Sequence, residues 1–286
     1  MRHLRISLEL ILFDWGSKTY VMGILNTTPD SFSNDGIYAD VDSAIARGIE
    51  MLSNGADILD IGGESSRPPA VYGEVNEISL TEELDRVIPT ISGLADKAKC
   101  LISVDTYKSK VAEAAIAAGA HVINDIWGLS RDPEMAPLIA DTGVSVVLMH
   151  NAEEPKYCDV VLDTFDFLKA QVEFAVDNGI GEDKIIIDPG IGFSKRTDEN
   201  LEILNRLEEY KKIGMPLLVG TSRKATIGQI LGLPVDDRIE GTAATIAVAI
   251  SRGADMVRVH DVKEMVQVCR MTDAIVRGWR PSSWKQ

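Results

Sequence analysis

Residues 101–125 read LISVDTYKSKVAEAAIAAGAHVIND, and this stretch decides the fold. It opens with a short apolar, β-branched run, Leu101-Ile102-Ser103-Val104-Asp105, that suits a strand. Residues 108–118 follow with the Ala, Lys and Glu composition of a helix. Gly119 then supplies the left-handed residue that ends such a helix, and a second strand candidate begins at His121. Two strands joined through a helix form a parallel crossover unit.

The same unit recurs in both directions along the chain. Strand candidates lie at residues 20–26, 57–61, 101–105, 121–125, 144–150, 184–188, 216–220 and 255–260. Helical stretches separate them, among them 41–54, 108–118, 162–178 and 240–252. The glycine joint also repeats, as Asn54-Gly55-Ala56-Asp57, Ala118-Gly119-Ala120-His121 and Arg252-Gly253-Ala254-Asp255. These joints belong to the bottom of the fold and serve stability. Eight strand–helix repeats predict an α/β (β/α)8 TIM barrel, a single domain over residues 1–286. An open doubly wound sheet is the alternative, but it usually has fewer strands and an earlier Gly-rich phosphate turn.

At the N-terminus, Arg2, His3 and Arg5 precede the apolar run 6–13. Glu9 interrupts that run, Asp14 follows it, and no small-residue cleavage site is present, which argues against a signal peptide. A short β-hairpin closing the bottom of the barrel is expected there. No apolar stretch is long enough to span a membrane. The formal charge is −15, from 29 basic and 44 acidic residues, and that field disfavours nucleic acid and anionic lipid as partners. Cys100, Cys158 and Cys269 are few and widely spaced, as in a cytoplasmic protein with reduced thiols.

Polar residues cluster where each strand candidate ends. They are Asn26; Glu64, Ser65, Ser66 and Arg67; Asp105; Asn124 and Asp125; Met149, His150 and Asn151; Asp188; Ser222, Arg223 and Lys224; and Arg258, His260 and Asp261. Barrel enzymes keep their chemistry at this C-terminal mouth. Each residue has an ordinary structural reading: Asp105 as a helix N-cap, Asn124 or Asp188-Pro189-Gly190 as turn formers, His260 as a packed surface histidine. Their coincidence at all eight strand ends favours a site. Arg258 and His260 stand two apart on one strand and so face the same way. Arg67, Arg223, Lys224, Arg258 and His260 form a cationic focus in an acidic chain, which suggests an anionic substrate group such as a phosphate or pyrophosphate.

These residues fall in motifs that resemble the dihydropteroate synthase family. The motifs are Met22-Gly23-Ile24-Leu25-Asn26, Pro29-Asp30-Ser31-Phe32-Ser33, the stretches 62–68 and 220–224, Ser103-Val104-Asp105-Thr106, Ile123-Asn124-Asp125, Asp188-Pro189-Gly190-Ile191-Gly192-Phe193 and the stretch 258–262. The resemblance implies condensation of 6-hydroxymethyl-7,8-dihydropterin diphosphate with 4-aminobenzoate, with release of pyrophosphate. It implies substrate binding by Asn26, Ser66, Arg67, Asp105, Asn124, Met149, Asp188, Lys224, Arg258 and His260. Catalytic roles would fall to Asp105, Lys224, Arg258 and His260. It further implies Mg2+ at Asn26, mobile loops after the first two strands, and a homodimer. The residue types suit a pterin edge: Asp188 accepts paired donors, Asn124 gives and accepts, and Lys224 donates. The sequence departs from the commonest family pattern at Thr27, Asn34, Pro69, the longer second loop at 71–76, and Ala225. Two other readings are a methyl-tetrahydrofolate methyltransferase barrel and a non-catalytic pterin-binding paralogue. The first would share Asp105, Asn124 and Asp188 but has no need of the cationic group.

Overall fold

Eight parallel strands run in chain order around a barrel: β1 (Tyr20–Asn26), β2 (Ile58–Gly62), β3 (Leu101–Asp105), β4 (Val122–Asp125), β5 (Ser145–Met149), β6 (Ile185–Asp188), β7 (Leu218–Val219) and β8 (Met256–Val259). The computed structural model describes residues 13–27, 41–64, 78–153 and 155–284. Each strand from β1 to β5 pairs with the next, β7 pairs with β8, and β8 returns to β1, with Met22 opposite Arg258. The seam between β6 and β7 is the thinnest. A single bridge, Ile187 to Leu217, closes it, with the Ile187 N–H donating to the Pro216 carbonyl at 2.9 Å. This is the expected β/α barrel.

The helices occupy the outside, as the crossover rule requires. They are α1 (Val41–Ser53), α2 (Leu80–Lys97), α3 (Ser109–Ala118), α4 (Met135–Thr142), α5 (Val160–Asp177), α6 (Thr197–Asn205), α7 (Ala225–Leu231), α8 (Ile239–Ser251) and α9 (Val262–Val276). Outward strand residues such as Leu59, Ile61, Val104 and Val257 pack with Ile45, Ile91, Val111 and Met265 from the helices in one continuous core. The glycine joints behave as expected: Gly55, Gly119 and Gly253 all take positive φ, near 103°, 117° and 99°. Gly119 shows why, since its N–H returns to the carbonyls of α3 while the chain turns down into β4.

Strand alternation divides the inward face into layers. Tyr20, Met22, Ile58, Leu101, Val122, Val147, Ile186, Leu218 and Met256 fill the lower barrel, with Phe13 and Trp15 packed beneath. Phe13, Trp15 and Tyr20 stack in mutual contact, with ring centroids 4.5 to 5.3 Å apart. A tight turn at Asp14–Ser17 brings Trp15 and Lys18 together, and the first arm of the expected hairpin lies outside the described residues. One or two pleats above the apolar layer, the same strands present Asp60, Ser103, Asp105, Asn124, Met149, Asp188 and Arg258.

Candidate active site

The upper layer is charged and nearly dry. Asp60 is 0% exposed, Asp105 7%, Asn124 4% and Asp188 5%. Arg258 links three strands: its Nε donates to Asp60 Oδ2 at 2.6 Å and a terminal N–H donates to Asp105 Oδ2 at 2.7 Å. Asn124 Nδ2 donates to the same Asp60 oxygen at 3.0 Å. A carboxylate only accepts, so this contact fixes the Asn124 amide and leaves its carbonyl oxygen turned away from Asp60. Burial works against the Arg258 charge, but Asp60 and Asp105 outweigh it. Burial pushes the Asp105 carboxyl up to about 7 despite the adjacent guanidinium.

Asp188 ends β6, and the turn after it shapes the other side of the mouth. Its Oδ1 accepts the Gly190 N–H at 2.7 Å. Burial raises the Asp188 carboxyl, against the pull of that N–H and of Lys224, Lys195 and Arg258. Gly190 and Gly192 both take positive φ, 70° and 80°. A Cβ at Gly190 would collide with the His150 carbonyl oxygen, and one at Gly192 with the Lys224 stem, so glycine is required at both. Lys224 crosses this turn: its ammonium donates to the Ile191 carbonyl at 2.6 Å and lies 3.8 Å from the Phe193 ring centroid. Burial pulls the Lys224 ammonium down to about 7, though Asp188 opposes it. Met149 is buried, on the same inward register as Val147 and opposite Asp188.

Beyond β8, His260 Nδ1 lies 2.9 Å from Ser222 Oγ, which also accepts the His260 backbone N–H at 3.1 Å. Asn26 ends β1 beside Gly62, where an added Cβ would contact Asn26 Oδ1 at 3.6 Å and Asp105 Oδ2 at 3.8 Å. Thr27 follows, buried, with its N–H and hydroxyl both donating to the Gly62 carbonyl. That gives the departure at Thr27 a structural role.

The structure thus brings Asn26, Asp105, Asn124, Met149, Asp188, Lys224, Arg258 and His260 to one end of one barrel. Ser66 and Arg67 lie outside the described residues, as do Asn34, Pro69 and most of both expected loops. The cationic focus needs correction. Arg223 reaches Asp261 through two contacts, 2.9 and 2.5 Å, and Asp236 at 3.4 Å, so its charge is taken up locally. Arg258 is likewise bracketed by two carboxylates. The N-cap reading of Asp105 does not hold either, since Lys108 caps α3 and Asp105 serves Arg258. His150 and Asp125 end their strands facing outward: His150 turns to Lys195, and Asp125 accepts the Trp127 and Leu129 N–H groups within its own turn.

Sequence reasoning missed Asp60 and Lys195. Asp60 had a signal, a charge inside an apolar run at an inward register with Ile58 and Gly62. Its Oδ1 and the neighbouring Ser103 Oγ are buried without a hydrogen-bond partner among the described residues. Lys195 had none, because its partners are backbone carbonyls and a histidine distant in sequence.

Comparison with known proteins agrees with this geometry. Residues 22–260 match the family described as pterin binding enzyme. The dihydropteroate synthase of Clostridium beijerinckii is 49% identical over 266 residues, covering 93% of this chain and 97% of that protein. The crystal structure of dihydropteroate synthase from Clostridium difficile in the presence of pteroic acid superposes with a TM-score of 0.89 at 46% identity, covering 93% of this chain and 100% of that one. The enzyme from Xanthomonas albilineans in complex with 7,8-dihydropteroate gives 0.84 at 40% identity, covering 93% and 96%. The chain belongs to the dihydropteroate synthase family of pterin-binding enzymes.

Proposed function

We propose that this barrel, a single pterin-binding domain over residues 1–286, makes 7,8-dihydropteroate from 6-hydroxymethyl-7,8-dihydropterin diphosphate and 4-aminobenzoate. The observation that carries the reading is the polar layer: three buried carboxylates, a buried amide, an ammonium and a guanidinium converge above an apolar floor. Such a layer needs a ligand that supplies both donors and acceptors. Asp188 accepts the paired N–H donors of the pterin edge, and Asn124 offers its carbonyl oxygen. Lys224 donates to the ring's acceptor side. The in-plane N–H groups of Arg258 engage Asp60 and Asp105, so its flat faces remain for stacking on the pterin ring.

In the reaction, the bond between the pterin methylene carbon and the diphosphate oxygen breaks, and the electron pair leaves with pyrophosphate. The 4-aminobenzoate nitrogen then bonds to that carbon and loses a proton. Asp105, next to the reacting end of the ring, stabilises the positive charge that develops as the bond breaks. His260 and Ser66 hold the departing pyrophosphate with Arg258, and Arg67 contributes from the second loop.

Magnesium is part of this proposal, with Asn26 as its protein ligand. Among the described residues no group of three His, Cys, Asp or Glu side chains could hold a metal ion. Asn26 Oδ1 beside the Asp105 carboxylate fits a cation that arrives with a diphosphate and takes most of its oxygens from it. Bound there, the ion would neutralise charge on the leaving group. We also propose a cytoplasmic homodimer. Val248 on α8 and Met271, Ile275 and Val276 on α9 are exposed on adjacent helices, a surface suited to a second copy. No helix among the described residues is long and apolar enough to cross a membrane.

Release of pyrophosphate that requires 4-aminobenzoate, and that stops on chelation and returns with Mg2+, is the test. Pterin binding without such release would leave only the non-catalytic reading. Methyl transfer from a methyl-tetrahydrofolate in its place would move the chain to the methyltransferase reading.

A further inference from the structure

The turn 188–195 contains three left-handed residues, Gly190, Gly192 and Ser194, the last at φ 47°. Left-handed backbone is unfavourable for serine, so something must hold this winding in place. The winding aims two carbonyls at one point, and Lys195 Nζ occupies it. The ammonium donates to the Gly190 and Phe193 carbonyls, both at 3.0 Å, and meets His150 Nδ1 at 2.9 Å. The His150 carbonyl lies further off, at 3.4 Å. An ammonium has three protons, and three close acceptors surround this one.

None of those partners is a carboxylate, and no described residue forms an ion pair with Lys195. A half-buried charge with only neutral acceptors in hydrogen-bond reach is costly, and here its contacts are spent on backbone geometry. That geometry leads directly to the site. The Gly190 N–H, whose own carbonyl binds Lys195, donates to Asp188 Oδ1 at 2.7 Å. The Phe193 ring, on the same residue as the other bound carbonyl, lies under the Lys224 ammonium. The intervening Ile191 carbonyl accepts instead from the Lys224 ammonium, at 2.6 Å. The turn is therefore held by two lysines, Lys195 at the Gly190 and Phe193 carbonyls and Lys224 at the Ile191 carbonyl. Asn200 adds a third hold, its Oδ1 accepting the Gly192 N–H at 2.6 Å.

We propose that Lys195, with His150 as its imidazole acceptor, is a positioning residue that sets Asp188 and Phe193 for substrate without touching it. The inference rests on the reading of Asp188 as a pterin-binding carboxylate. Opposite the Lys195 ammonium, His150 acts as an acceptor at Nδ1. Burial and the nearby Lys195 both lower its basicity, to a pKa of about 3. Its ring also packs edge-on against Phe167, with centroids 4.8 Å apart, so a phenylalanine at 150 can keep the packing and lose only the acceptor.

A double-mutant cycle between Lys195→Met and Asp188→Asn tests this, with bare 6-hydroxymethylpterin and 4-aminobenzoate titrated separately. Lys195→Met is expected to weaken the bare pterin about tenfold in wild type, the scale of one misplaced buried hydrogen bond. In the Asp188→Asn background the same change should cost less than about twofold, since its route to the ligand has gone. His150→Phe, the gentler variant should Lys195→Met fail to fold, is expected to weaken pterin about threefold. That loss should also disappear in the Asp188→Asn background. Equal losses in both backgrounds, or unchanged pterin affinity in a folded variant, would overturn the positioning role. If Asp188→Asn alone leaves pterin affinity unchanged, the reading of Asp188 fails instead, and the cycle separates the two failures.

Discussion

The inward faces of the same eight strands carry two layers of opposite character. The lower one, from Tyr20 and Met22 round to Met256, is apolar and closed from below by Phe13 and Trp15. The upper one holds Asp60, Asp105, Asn124 and Asp188, all buried, and Arg258, whose side chain is 16% exposed; short hydrogen bonds join Arg258 to Asp60 and Asp105, and Asn124 to Asp60. Backbone and burial are alike, so the difference measures what function imposes. The lower layer needs volume and shape. The upper one needs specific groups at specific atoms, and it accepts a desolvation cost to keep them.

The largest expected effect tests that cost. Arg258→Met should remove the shared partner of two buried carboxylates. Breaking a buried ion pair from one side costs about 3–5 kcal/mol, and loss of a positioned donor lowers turnover by about 10²–10³-fold. Urea unfolding and pyrophosphate release read the two losses separately. Adding Asp60→Asn should recover part of the stability and none of the turnover. If Arg258→Met is as stable as wild type, the layer carries no such cost.

The same cost should appear as a pH signature. Asp105 ordinarily titrates near 3.8 and is raised to about 7 in the fold. Between those values the folded chain keeps a proton that the unfolded chain has released, so stability falls as pH rises. Lys224 is lowered from 10.5 to about 7. Between 7 and 10.5 the unfolded chain holds the extra proton, so stability climbs again with pH. These two groups therefore contribute a minimum near neutrality. Melting temperature against pH should show Asp105→Asn flattening the acid limb and Lys224→Met the alkaline limb. A lower-layer variant should shift the whole curve without changing its shape.

Met256→Ala is that variant. Met256 is fully buried directly below Arg258 on β8. Truncation should cost about 2–5 kcal/mol of stability, as for other large-to-small core changes. The KM for both substrates should stay within about twofold at a temperature where the variant is folded, an estimate from the independence of non-touching sites. A large rise in pterin KM would show that the two layers are mechanically coupled and that the contrast between them is too sharp.

How much of this was legible differs between the layers for a physical reason. The barrel follows from local signals, a β-branched run, a helix composition and a Gly joint, each readable within a few residues. Strand ends differ by two residues at most, as at β7, where only Leu218 and Val219 stay in the ladder. Asp105, Asn124, Asp188 and Arg258 were legible because a strand end in a parallel barrel has only one place to be. Asp60 sits one pleat lower, and its charge was overlooked inside an apolar run. Arg223 was misread because Asp261, its partner, is remote in sequence and nothing local announces the pair. Lys195 binds backbone carbonyls, which every residue has, so no side-chain pattern could point to it.

The smallest expected effect lies outside both layers, on the rim. Ala225 is the first residue of α7, directly after Lys224, and its N–H has no partner within the helix. It is one of the positions at which the sequence departs from the commonest family pattern. If the second substrate is read at this rim, its carboxylate meets the N–H groups of that first turn, with the helix dipole in its favour. Ala225→Ser would add one neutral hydroxyl donor to the same group. The gain should then be no more than a single hydrogen bond, about 0.5–1.5 kcal/mol, or about two- to tenfold tighter 4-aminobenzoate. Pterin affinity should stay constant, because Asp188 and Asn124 act from inside the barrel and Lys224 is held by the Ile191 carbonyl rather than by α7. Separate titration of each substrate against wild type and variant decides the point. A shifted pterin constant with an unshifted 4-aminobenzoate constant would mean that α7 belongs to the pterin side and that the division between layer and rim is drawn in the wrong place.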